Sequence, residues 1–152
     1  MKLERSSVDI ARRFIGLSEV PGAASNPQIL AMLRLDQSWP ATDEVPWCSA
    51  FTSYVAWLLD LPRSKSLGAR SWLIIGRHIG IGDAEPENDV VVLKRGSGPQ
   101  PGPEVIHAPG HVGFYVGHDD TRVTVLGGNQ GDAVSIATFP RQNILAIRRL
   151  AA

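Results

Sequence analysis

The spacing of apolar residues changes about halfway along the chain. In the first half, apolar side chains recur every three or four residues, as they do on one face of a helix. This spacing predicts helices over about residues 7–17, 27–33, 48–60 and 66–75. Asn26-Pro27 supports the second of them, because asparagine is a good N-cap and proline is tolerated at the first helical position.

In the second half, the pattern is typical of strands. Residues 90–93 are a continuous β-branched and apolar run, which predicts a strand buried on both faces, and residues 111–117 alternate between apolar and other side chains. Further strands are predicted at 122–126, 133–139 and 144–150, with loops at 76–88 and 96–110. Helices followed by strands predict an α+β fold, in which N-terminal helices pack on a C-terminal antiparallel sheet.

The composition narrows the class of protein. A chain of 152 residues predicts a single domain spanning 1–152, and 15 basic against 15 acidic residues favour neither nucleic acid nor an anionic membrane as a partner. No apolar run approaches the roughly 20 residues that a spanning helix needs, so no membrane insertion is predicted. The first seven residues contain no apolar signal segment, and we expect synthesis in the cytoplasm without a signal peptide.

The only cysteine, Cys48, follows Pro46-Trp47 and opens the third predicted helix. A lone cysteine excludes an internal disulfide and a cysteine-based zinc site. At a helix N-terminus, the positive end of the helix dipole lowers a thiol pKa, and the backbone N–H of Cys48 could donate to an oxyanion. This placement favours a thiolate nucleophile at the start of the helix. The alternative is a small buried hydrophobic residue.

A nucleophilic cysteine needs a base, and His111 is the best candidate among four histidines. His78 and His107 fall in predicted loops and His118 in a turn, whereas His111 begins an alternating strand. The alternative is an edge histidine bonded to the backbone. No metal site is predicted, because the proline and glycine at 109–110 prevent a helical pairing of His107 with His111.

The third member of the site follows from hairpin geometry. If strands 111–117 and 122–127 pair around a turn near residue 120, the numbers of paired residues sum to about 240, which places Asn129 opposite His111. An Asn amide oxygen could then accept from the imidazole and orient it, as in Cys-His-Asn sites. A register slip of one would bring Gly128 or Gln130 there instead. Residues 127–131 could also be a simple turn.

With Cys48, His111 and Asn129 in place, the sequence resembles the papain-like peptidoglycan cysteine hydrolases, namely the NlpC-type and CHAP (cysteine, histidine-dependent amidohydrolase/peptidase) domains. The likeness is greatest to a compact subgroup common in phage lysis proteins. Five segments match in the family's order and span about residues 10–150. They are PWCSAF (46–51), ARSWL (69–73), DVVVLKRG (89–96), GHVGFYVG (110–117) and LGGNQ (126–130).

The resemblance implies a papain-like fold with Cys48 as nucleophile, His111 as base and Asn129 as the polar third residue. It implies hydrolysis of a peptidoglycan amide, either within the stem peptide or between N-acetylmuramic acid and L-alanine, with no metal or organic cofactor. Many CHAP domains carry a glutamate where this chain has Gly127. Asn129 must therefore orient His111, unless Glu44 reaches it.

Four residues are expected to contact substrate: Glu44, Trp47, Trp72 and Gln130. The two tryptophans would wall a cleft, or would be core aromatics instead. Asp43 and Glu44 would lie at the lip of the cleft.

The resemblance and the lack of a signal segment favour a monomeric phage-type endolysin that reaches the periplasmic cell wall by holin-type release. Two alternatives stand beside it. One is an injected antibacterial effector with an immunity partner, and the other is a non-catalytic cell-wall-binding module that retains the fold.

Overall fold

The computed structural model describes residues 5–21, 24–96 and 98–150, and within them three α-helices accompany a six-stranded antiparallel sheet. The helices are α1 (Ser7–Arg12), α2 (Pro27–Leu33) and α3 (Cys48–Leu58). The strands are β1 (Arg77–Ile79), β2 (Asp89–Lys94), β3 (Gly110–His118), β4 (Arg122–Gly127), β5 (Ser135–Pro140) and β6 (Ile144–Arg149). Their order in the sheet is β1-β6-β2-β3-β4-β5. The predicted order of helices and then strands is confirmed.

The helical half is shorter than its apolar pattern predicts. Ser6 and Asp9 form a capping box at the start of α1, but the helix ends at Arg12 instead of near residue 17. Tighter turns follow over residues 13–16, and Gly16 then takes φ 98° while its N–H donates to the carbonyl of Val134. The segment predicted as a helix at 66–75 is a 3₁₀ helix over Ala69–Ile74.

The sheet separates two apolar cores, and β2 belongs to both. Val90 and Val92 pack in the core under the helices, whereas Val91 and Leu93 pack in a second core on the opposite face. This arrangement explains the uninterrupted apolar run of β2. The strand β1 was missed, because it lies in a segment with neither alternation nor a β-branched run and pairs with β6 over only three residues.

The β3–β4 hairpin sets up the site described next. Phe114 pairs with Leu126 and Tyr115 with Val125, which is the register that the hairpin arithmetic predicts. The ladder does not continue to His111, because the chain turns after Gly127 and Asn129 takes φ 58°. None of the described helices combines the length and the apolar character needed to cross a bilayer.

Candidate active site

The N-terminus of α3 carries Cys48 as its first residue, and Trp47 anchors it. The Trp47 side chain is fully buried, and its indole Nε1 donates to Glu19 Oε1 at 2.8 Å. Its ring lies against Gly128, where an added Cβ would be 2.7 Å from Cζ3 of Trp47. Trp47 thus holds α3 against the turn that follows β4, and the absent side chain at Gly128 permits the close approach.

A second indole fixes the same helix from the other side. Trp72 is also fully buried, and its Nε1 donates to Ser49 Oγ at 2.8 Å. Ser49 Oγ in turn donates to the carbonyl of Ser66 at 2.6 Å. The expectation that Trp47 and Trp72 wall a cleft is therefore corrected. Each indole N–H has a partner inside the protein, so both rings are structural core groups.

The imidazole of His111 is held by Gln130, not by Asn129. His111 Nε2 lies 2.8 Å from Gln130 Oε1. The Gln130 amide nitrogen donates to the carbonyls of Ser135 at 2.8 Å and Val125 at 3.3 Å, so its oxygen must be the atom that faces His111. Nε2 therefore carries the hydrogen and donates it. Nδ1 is left as the nitrogen that can accept a proton from the Cys48 thiol, whose pKa the His111 ring lowers.

The turn after β4 explains why His111 contacts Gln130 and not the predicted Asn129, one residue earlier. With φ 58° at Asn129, the next side chain folds back over the end of the hairpin. A Cβ at Gly127 would lie 2.7 Å from Gln130 Oε1, so this glycine makes room for the contact between Gln130 and His111. Asn129 instead lines the cavity beside His111. The glycine at position 127 was the available sequence signal for the role of Gln130, because a glutamate side chain at 127 would fill the space that the Gln130 side chain occupies.

The electrostatics of the pair favour an ionised thiol. Burial is the largest influence on the Cys48 thiol and opposes its ionisation. The hydrogen bond and charge of His111, the Val112 N–H and the charge of Arg95 together outweigh it and lower the Cys48 pKa. Burial likewise opposes protonation of His111, but its contacts with Cys48 and Gln130 raise the His111 pKa. Opposite shifts in the two groups favour a thiolate–imidazolium pair.

We expect His111→Ala to move thiolate formation by Cys48 to higher pH. The lowered thiol pKa depends on the imidazole, so without it burial dominates and the neutral thiol persists as the pH rises. The measurement is thiolate ultraviolet absorbance against pH in the folded protein. His78→Ala, which removes an exposed histidine at the far edge of the sheet, is the matched control. Identical titrations of the two variants would contradict the assignment.

No protein-family model matches the sequence, and no curated protein matches it. Two solved structures share its architecture. NlpC1 from Trichomonas vaginalis aligns with a TM-score of 0.57 and 19% identity over 95% of this chain and 42% of that protein. NlpC2 from the same organism aligns with a TM-score of 0.54 and 18% identity over 95% of this chain and 44% of that protein.

The fold is papain-like. The predicted α+β class, with the cysteine at the start of a helix that packs on the sheet, is confirmed. At these identities the likeness concerns the fold, and the chain spans less than half the length of either NlpC protein. In this fold Cys48 is the first residue of α3 and His111 lies at the beginning of β3.

Asp43 does not lie at the lip of a cleft, which is where the sequence predicts it. Asp43 is fully buried, and its Oδ2 accepts from the backbone N–H groups of Val20 at 2.9 Å and Asn26 at 2.7 Å. This carboxylate ties the loop to the segment before α2. Glu44 is exposed. It is not the orienting residue, since Gln130 occupies His111 Nε2, and its contact with substrate stays a prediction.

The sequence reasoning missed the role of Arg70. Its side chain is fully buried, and the guanidinium donates to the carbonyls of Pro101, Gly102, Val105 and Pro109 at 2.8–3.1 Å. No carboxylate of the described residues forms an ion pair with it. Arg70 therefore holds the loop that leads directly into His111. A basic residue inside the apolar ARSWL segment was the available signal.

Proposed function

We propose that this protein is a cysteine hydrolase that cleaves an amide bond of peptidoglycan. The observation that carries the proposal is the position of His111, whose ring contacts the Cys48 thiol and, through Nε2, the oriented oxygen of Gln130. This is the order of nucleophile, base and orienting group that acyl transfer requires. The papain-like fold and the five sequence segments shared with peptidoglycan cysteine hydrolases support the substrate class.

In the first half of the reaction, the Cys48 proton passes to His111 Nδ1 and the thiolate attacks the amide carbon. The N–H of Cys48, at the free end of α3, donates to the oxygen that becomes negative. His111 then gives its proton to the amide nitrogen, and the C–N bond breaks. An amine leaves and a thioester to Cys48 remains.

In the second half, water replaces the amine. His111 removes a proton from the water, whose oxygen attacks the thioester carbon. The C–S bond breaks and a carboxylic acid leaves, and His111 returns its proton to the Cys48 thiolate. Throughout, Gln130 keeps the ring in one tautomer, because its own amide N–H groups are held by Val125 and Ser135.

Digestion of purified peptidoglycan, followed by mass spectrometry of the soluble products, tests this function. New amino termini within the stem peptide would identify an endopeptidase. Freed lactyl groups on muramic acid would identify an N-acetylmuramoyl-L-alanine amidase. If wild-type protein releases no fragment from walls of several cross-link types, the hydrolase proposal is wrong.

Resemblance to the phage lysis subgroup supports an endolysin as the biological role. An endolysin should lyse a bacterial host when co-produced with a holin and leave it intact when produced alone. Lysis that instead needs delivery from a neighbouring cell, and that a neighbouring gene product blocks, would assign the chain to the injected effectors.

We expect Gln130→Ala to lower kcat roughly 10- to 100-fold, the range that a misplaced catalytic group costs. Asn129→Ala should have a much smaller effect, because Asn129 makes no hydrogen bond to the imidazole among the described contacts. Steady-state hydrolysis of one soluble peptidoglycan fragment by both variants provides the comparison. A larger loss from Asn129→Ala would reverse the assignment.

A further inference from the structure

A cavity of about 560 Å³ opens beside His111, and both His111 and Gln130 line it. The end of β2 supplies Lys94 and Arg95 to its wall, and β5 supplies Ala137 and Phe139. Cys48 is not part of this wall. The cavity therefore adjoins the base and not the nucleophile, and the mechanism above leaves it unused.

The charges of the cavity are all of one sign. Lys94 and Arg95 line it, no acidic residue does, and neither cation forms an ion pair with a carboxylate of the described residues. The backbone of Lys94 pairs with Gly110 across the β2–β3 ladder, one residue before His111, and Arg95 follows directly. In a chain with no formal net charge, this is a local excess of positive charge in a concave site. Such a site favours an anion, and an arginine fork fits a carboxylate.

The β5 side of the cavity combines the apolar Ala137 and Phe139 with the hydroxyl of Ser135. The Phe139 ring lies 5.4 Å from the His111 ring, at 36° between their planes, and Ala137 is two residues before it on β5. A ligand that suits both walls carries a carboxylate beside a short aliphatic group. Amino acids of a peptidoglycan stem peptide have this form.

The reaction defines which part of the substrate faces the cavity. Since His111 delivers its proton to the departing nitrogen, the fragment that leaves as an amine lies on the His111 side. We propose that the cavity lined by Lys94 and Arg95 is a subsite for a free carboxylate of this leaving fragment. The inference rests on the proposed hydrolase function and holds for endopeptidase and amidase alike, because in either case the leaving amine belongs to a peptide.

Binding to Cys48→Ala protein tests the subsite without any turnover. The probes are two synthetic stem peptides that represent the leaving fragment, one with free carboxylates and one with these groups as carboxamides. We expect calorimetry to give a Kd about tenfold lower for the free acid, in the range of a charge-assisted pair. Adding Lys94→Gln and Arg95→Gln together should bring the two Kd values together, whereas adding Arg77→Gln, an exposed cation on the edge strand β1, should keep them apart.

Equal Kd values for the two peptides in Cys48→Ala protein would overturn the subsite. So would an unchanged tenfold ratio after removal of both cations. Neither result would contradict the hydrolase proposal, which is tested separately by the release of peptidoglycan fragments by the wild-type protein. Conversely, wild-type protein could release no fragment while Cys48→Ala protein still binds the free-acid peptide more tightly than the carboxamide. The hydrolase proposal would then be wrong, and the cavity would remain an anion-binding site.

Discussion

Cys48→Ala is expected to lower the rate of peptidoglycan fragment release by at least about 10⁴-fold, the order of loss seen when a nucleophile is removed from an acyl-transfer enzyme. The structure offers no substitute, since Cys48 is the only cysteine and the sole thiol at the start of α3. Mass-spectrometric counting of released fragments over time measures the effect.

This result is informative only if the variant keeps its fold. Cys48 is 3% exposed, and the change to alanine removes one sulfur atom at the first position of α3. We therefore expect an unchanged far-ultraviolet circular dichroism spectrum and binding to intact cell walls. Full release of fragments by a folded Cys48→Ala protein would assign the chemistry to another group.

The parts of the site that could be predicted from the sequence are those set by local chemistry. Cys48 lies at a helix start because Pro46 precedes it and an apolar helical pattern follows, and His111 lies on a strand because its neighbours alternate. The pairing of Phe114 with Leu126 agrees with the register predicted from the turn, and a β-bulge between Tyr115 and Gly117 separates this pair from the turn. Each of these features depends on residues a few positions apart.

The identity of the orienting residue could not be predicted in this way. It depends on the positive φ of Asn129 and on the space left by Gly127, both of which act through contacts across the hairpin. The burial of Trp47 and Trp72 has the same origin. An indole can wall a cleft or fill a core, and its partners Glu19 and Ser49, 28 and 23 residues away in the chain, decide which.

Arg70 is the strongest case of a role set by tertiary structure, and its removal should have a large effect on stability. We expect Arg70→Met to lower the free energy of unfolding by about 3 kcal/mol or more, because four carbonyls would lose a charged donor inside the protein. Urea denaturation measures this as a lower midpoint at constant slope. Arg77→Met, at an exposed position, is the control and should leave the midpoint in place.

The position of the four carbonyls gives this prediction a local signature. They belong to residues 101–109, a segment without strands or α-helix that ends at the first residue of β3. Arg70→Met should therefore speed amide hydrogen exchange in 98–110 more than in β4, and it should reduce activity because His111 follows directly. Arg70→Lys keeps the charge but cannot reach all four carbonyls, so it should fall between the wild type and Arg70→Met. If exchange rises evenly through the whole sheet, Arg70 contributes only to the core and does not position the base.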